Sequence, residues 1–170
     1  METKILLGIS ACLLGKKVRY DGKHKEDRFI IDRLGKLVEF VPVCPEWECG
    51  LGVPREVMRL IGDPEDPRMV TIHTKVDHTK RMKEWSRRRL SALNQLSLDG
   101  FIVKSNSPSC GLVEVDVYDK KGTPAKKGVG LFTREFLTRF PQLPVIDEIG
   151  FHNKPLREKF IEQMVGVSQY

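Results

Sequence analysis

Four cysteines stand in this 170-residue chain, at Cys12, Cys44, Cys49 and Cys110. Soft thiolates select zinc, copper(I) or iron–sulfur clusters. Structural zinc usually draws its cysteines in close pairs. Here only Cys44 and Cys49 are close, with four residues between them. Cys12 and Cys110 have no cysteine neighbour, yet each sits beside small or turn-forming residues: Ser10-Ala11 before Cys12, Ser109 and Gly111 around Cys110. Loops of that kind let backbone amides reach cluster sulfurs. Three thiolates on a cluster would leave one iron open, as a catalytic site does and a structural one does not. The plainer alternative is that some of these cysteines pack as small hydrophobes. It suits Cys12, in an apolar stretch, better than Cys110, in a polar loop.

The elements around the cysteines decide whether they can meet. Lys4 to Ala11 reads as a buried strand ending at Cys12. Leu37 to Val43, bounded by Pro42 and Pro45, reads as a second strand ending near Cys44. Gly100 to Val103 reads as a third, followed by the small-residue loop Ser105 to Gly111 that carries Cys110. Between them, Phe29 to Leu34 suits a helix stopped by Gly35. Asp77 to Leu98 is the longest helix candidate, with Met82, Trp85, Leu90, Leu93 and Leu96 on one face. Met69 to Thr74 and Val113 to Tyr118 read as strands, and Arg55 to Ile61 fits a helical turn or a short strand. Lys120 to Gly130 reads as a basic loop. Thr133 to Phe140 reads as a helix with Thr133 as N-cap, Pro141 to Ile146 as extended, and Pro155 to Val165 as a last helix. Strands alternating with helices predict an α/β fold: a Rossmann-like, mostly parallel sheet flanked by helices. The C-terminal ends of parallel strands share one edge, where ligands bind. The three thiols can therefore meet there, either as a metal site or as small packed residues.

Composition sets limits. Forty per cent hydrophobic and 31% charged residues suit a folded globular chain. No apolar run is long enough to span a bilayer, so no membrane role is expected. Ile9-Ser10-Ala11-Cys12 mimics a lipoprotein cleavage site, but the apolar run before it is too short and continues past the cysteine. A cytoplasmic location with reduced thiols is expected. The net charge of +6 allows a polyanionic partner without requiring one.

Three motifs in order carry a resemblance: SACLLG around Cys12 with VRYDG after it, CPE at Cys44 with GLGVPR after it, and GFIVKSNSPSCG from Gly100. Together they resemble the thiouracil desulfidase family, over about Ile5 to Phe140. The similarity is greatest to a subgroup fused to a second domain and linked to 4-thiouridine in transfer RNA. The expected organisation is a desulfidase domain at 1–152 and a helical tail at 153–170, which resembles the segment leading into that second domain. The resemblance implies a [4Fe-4S] cluster on Cys12, Cys44 and Cys110, with one iron left for the substrate's sulfur. It also implies proton-handling roles for Glu46 and Ser107. The implied activity is a hydrolase-like, non-redox conversion of C=S to C=O in a small thiolated nucleobase or nucleoside, with tRNA as a further substrate class. Glu46 would then activate water as general base, and Ser107 would donate or relay a proton.

Several residues carry rival readings. Cys49 could be a fourth ligand, a persulfide acceptor or a small residue in a glycine-rich loop. With four protein ligands the chain would be a non-catalytic iron–sulfur or zinc module, or a sulfur carrier. Arg55 and Lys104 could meet a substrate or pair with the fold. Tyr20 and Asp21 could line a pocket, although Asp-Gly usually marks a turn. The basic face from Lys80 to Arg89 reads as solvated surface or an RNA-binding patch. His24, His73, His78 and His152 are scattered and suggest no metal site.

Overall fold

Strand β1 (Ile5–Ser10) lies inside a parallel sheet with β2 (Val38–Val43) on one side and β5 (Gly100–Val103) on the other; β8 (Val145–Asp147) follows β5. The computed structural model describes residues 4–168. Alternate residues of β1 face opposite sides of the sheet. Leu7 and Ile9 join Ile102, Val38 and Ile146 in one core, covered by helices α1 (Arg28–Leu34), α4 (Glu148–His152) and α5 (Lys154–Ser168). Phe160 and Met164 of α5 are buried in that core.

The opposite face builds a second core. Phe101 and Val103 meet α2 (Thr79–Asn94) and α3 (Leu131–Arg139) there. Phe101 pairs in register with Gly8, and its ring occupies the space a Cβ at position 8 would need. The glycine in the first strand is therefore a packing requirement. Met82, Trp85, Leu90 and Leu93 of α2 are buried, as their helical spacing predicts. Leu96 is 42% exposed, because the helix ends at Asn94 and the predicted face ends with it.

The same core is closed by a second sheet, of order β4-β3-β6-β7, which the alternation of elements did not suggest. Arg55 to Ile61 resolves as strand β3 (Met58–Asp63), antiparallel to β4 (Asp66–Thr71). Strand β6 (Val115–Tyr118) runs parallel to β3. Within the expected basic loop at 120–130, Pro124–Gly128 forms strand β7, paired antiparallel with β6. Four of its five residues are exposed, so no apolar alternation betrayed it.

Candidate functional site

The sheet order places β2 and β5 on opposite sides of β1, so a switch in strand direction of travel lies at β1's C-terminal end. Cys12 falls in a tight turn, Ala11–Leu14, directly after β1. Cys44 follows the last residue of β2, and Cys110 lies in the loop after β5. All three line one cavity of about 240 Å³, together with Glu46, Ser107 and Arg55. Among the described residues no three Cys, His, Asp or Glu side chains close on one point tightly enough for a single metal ion. Thiols spread around a cavity fit a body of several metal atoms better, since each thiolate can then bind its own. One ion would need every donor within about 2.3 Å.

The backbone at each thiol is fixed. The Cys12 carbonyl accepts from the amides of Gly15 (3.3 Å) and Lys25 (3.0 Å). Glu48 holds Cys44: its carboxylate accepts the Cys44 amide at 2.7 Å and pairs with Arg89 of α2 at 3.2 Å. In the Cys110 loop, the Ser107 hydroxyl oxygen accepts from the amides of Cys110 (3.0 Å) and Ser109 (3.3 Å). With its lone pairs so engaged, that hydroxyl is left to donate, towards Ser109 or a ligand.

The start of α3 locks the same loop. The amides of Leu131 and Phe132 donate to the carbonyls of Pro108 (3.0 Å) and Ser109 (2.9 Å). Gly130, not Thr133, is the N-cap. A Cβ on Gly130 would stand 2.6 Å from Ser109 backbone atoms, so only glycine allows this approach. Thr133 is one turn further in and fully buried, and its hydroxyl donates to the Cys110 carbonyl at 2.6 Å.

Burial pushes all three thiols up. Cys44 reaches about 11 and Cys110 goes higher, while Cys12 rises against the opposing pull of Lys104 and Arg19. Metal binding removes the proton outright. Burial also raises Glu46, opposed by Arg55, whose guanidinium lies 3.5 Å away.

The rival readings separate. Arg55 also donates to the carbonyls of Gly52 (2.8 Å) and Val18 (2.9 Å), so it staples the fold and anchors Glu46. The Lys104 ammonium is held by Glu148 and Ser105. Tyr20 lines the cavity, whereas Asp21 accepts the Lys23 amide at 3.0 Å in a turn. Cys49 is absent from the cavity wall; its thiol donates to the Glu46 carbonyl at 3.4 Å and packs against the second core. Glu48, Glu148 and Arg19 were not singled out from the sequence. A single charged residue carries no local signal of what it will face.

A sequence profile of the 2-thiouracil desulfurase family matches residues 7–148. Among curated proteins, the uncharacterized protein YbbK of Bacillus subtilis (strain 168) is 31% identical over 112 residues, 61% of this chain and 71% of that protein. Among solved structures, the [4Fe-4S]-dependent thiouracil desulfidase TudS superposes with a TM-score of 0.68 at 27% identity, covering 99% of this chain and all of that one. Its fold is thus the α/β fold described above. No helix among the described residues is long and apolar enough to cross a membrane. With the profile running from the first strand to the start of α4, the chain belongs to the 2-thiouracil desulfurase family.

Proposed function

We propose that this protein is an enzyme that converts the C=S of a thiolated pyrimidine to C=O, without net redox change, using a [4Fe-4S] cluster held by Cys12, Cys44 and Cys110. The observation that carries the reading is that these three thiols, distant in sequence, share one cavity with Glu46 and Ser107. Family membership and the likeness to TudS support it. When bound, the cluster supplies an iron with no protein thiolate, a soft Lewis acid suited to thiocarbonyl sulfur.

The chain's own residues handle protons and orientation. Glu46 accepts a proton from the attacking water; burial makes its carboxylate more basic and Arg55 fixes its position. Ser107 donates its hydroxyl proton to a ring nitrogen or exocyclic atom of the pyrimidine.

Cys49 lies off the cavity wall, which weighs against a closed four-thiolate module or a persulfide acceptor at this position. Substrates span the free base, the nucleoside and 4-thiouridine within RNA. Binding to RNA would draw on the exposed lysines and arginines of α2 and β7 and would weaken steeply with salt. Four unpaired cysteines suit the reducing cytoplasm.

The test is iron and sulfide content and the absorption spectrum of anaerobically purified protein, before and after adding 4-thiouracil. About four irons and four sulfides, with a spectrum that shifts on addition, is the expected result. Protein that stays colourless after anaerobic reconstitution would overturn the cluster reading. Full turnover by Glu46→Ala protein with its cluster intact would remove the general-base role.

A further inference from the structure

The hydroxyl of Ser109 stands between the two proton-handling groups of the cavity. Ser109 lines the wall with Glu46 and Ser107 and is only 1% exposed. Its Oγ lies 3.1 Å from the Ser107 Oγ. Both lone pairs of the Ser107 hydroxyl are taken by the amides of Cys110 and Ser109, so between the two serines Ser107 donates and Ser109 accepts. The Ser109 proton must then go elsewhere. The Cys110 Sγ, at 3.8 Å, is a distant and weak acceptor. The Glu46 carboxylate is the stronger one, and the Ser109 side chain hydrogen-bonds it. The other serines of the wall are engaged away from this pair: Ser10 accepts the Lys104 amide at 2.9 Å, and Ser105 donates to Glu148 at 2.6 Å. Nor is Ser109 loose. Its carbonyl accepts from the amides of Phe132 (2.9 Å) and Thr133 (3.3 Å) in the first turn of α3, which leaves the swing of the O–H bond as its main freedom.

We propose that Ser109 returns to Ser107 the proton that Glu46 takes from water, closing a proton loop from Glu46 through Ser109 to Ser107. The inference rests on the desulfuration reading above. Take the substrate as its thiolate tautomer, S⁻–C=N. The oxygen of water bonds to the ring carbon, and one water proton passes to Glu46. The C=N π electrons take the Ser107 proton at nitrogen. The Ser107 oxygen, now an alkoxide, has gained a third lone pair, and Ser109 is the hydroxyl at hydrogen-bond distance to fill it. Ser109 swings its O–H towards Ser107 and gives up the proton, and the proton on Glu46 passes to Ser109. As the new C=O forms, the C–S bonding electrons leave on sulfur with the remaining water proton, so one HS⁻ is released. One negative charge stands on each side, all three side chains regain their starting protons, and no oxidant or reductant is needed.

The experiment measures kcat for 4-thiouracil with anaerobic, cluster-loaded wild-type, Ser109→Ala and Ser109→Thr proteins, in water and in mixtures of light and heavy water. Iron content, and uracil affinity by calorimetry, are measured on the same samples. Ser109→Ala is expected to lower kcat by roughly tenfold or more, as the loss of a proton-transfer path does. Its iron content and uracil affinity stay at the wild-type level, and Ser109→Thr recovers most of the rate. Wild-type kcat is expected to fall along a curve as the deuterium fraction rises, because more than one proton moves, and Ser109→Ala to straighten it. Unchanged kcat in Ser109→Ala overturns the proposal, as does an equal loss of uracil affinity. A loss of iron overturns it too, by assigning the hydroxyl to the Cys110 sulfur. A straight line for wild type also overturns it, whether or not either variant folds. Wild-type protein that takes up no cluster sinks the desulfuration reading and this proposal together; wild-type and Ser109→Ala proteins that load and turn over alike sink this proposal alone.

Discussion

The carboxylate of Glu48 accepts the backbone amide of Cys44 at 2.7 Å, while the Glu48 amide donates back to the Cys44 carbonyl at 2.8 Å. The second carboxylate oxygen reaches Arg89 on α2, so the Cys44 turn is tied to the helix behind it. Replacing Glu48 with alanine leaves a part-buried amide unpaired, at a cost of about 1–3 kcal/mol. Glu48→Ala protein is expected to melt at a lower temperature and to lose iron to a chelator faster than wild type. Equal iron release would show that the Cys44 turn needs no such anchor.

Thr133 supplies the hydroxyl for the buried Cys110 carbonyl. Thr133→Val keeps the shape and removes the donor, at about 1–3 kcal/mol. It is expected to slow cluster reconstitution, and Thr133→Ser to restore it. A serine variant as impaired as the valine one would point to lost methyl packing instead.

Cys49 is not on the cavity wall. Cys49→Ala is therefore expected to retain full iron content and turnover, at a stability cost of about 1 kcal/mol or less, since only one weak thiol hydrogen bond is lost. A drop in iron content would make Cys49 a ligand.

Glu148 links α4 to the cavity wall through Lys104 and Ser105. Burial alone would raise its carboxyl, but the hydrogen bonds from Lys104 and Ser105 outweigh burial and hold it below the usual glutamate range. Its contribution to stability is thus full above about pH 4.3, the unfolded value. It is lost as pH falls from there through the lower folded value, because the unfolded chain takes up the proton first. Melting temperatures of wild type and Glu148→Gln measured across this range are expected to converge at the acid end. Curves that stay parallel would contradict the assignment.

Much of the fold was legible in local pattern. The strands leading to Cys12 and Cys44 and the one before the Cys110 loop stand where valine, isoleucine and turn residues predict them. Strand β7 was hidden because lysines and a proline on an exposed edge look like a loop, and its pairing with β6 is a long-range contact. Thr133 was misread because an N-cap threonine and a buried helical one have the same neighbours in sequence.

The sequence by itself determined the residue types at strand ends, and with them the three thiols, Glu46 and Ser107 that now share one cavity. Side-chain chemistry and strand direction are local properties, and parallel order brings the strand ends to one edge. Which charges find partners was decided only by tertiary structure. Arg55 and Lys104 meet carboxylates brought from elsewhere in the chain, and Cys49 lies off the cavity wall. Those outcomes depend on how distant loops pack, and a residue's own neighbours in sequence carry no record of it.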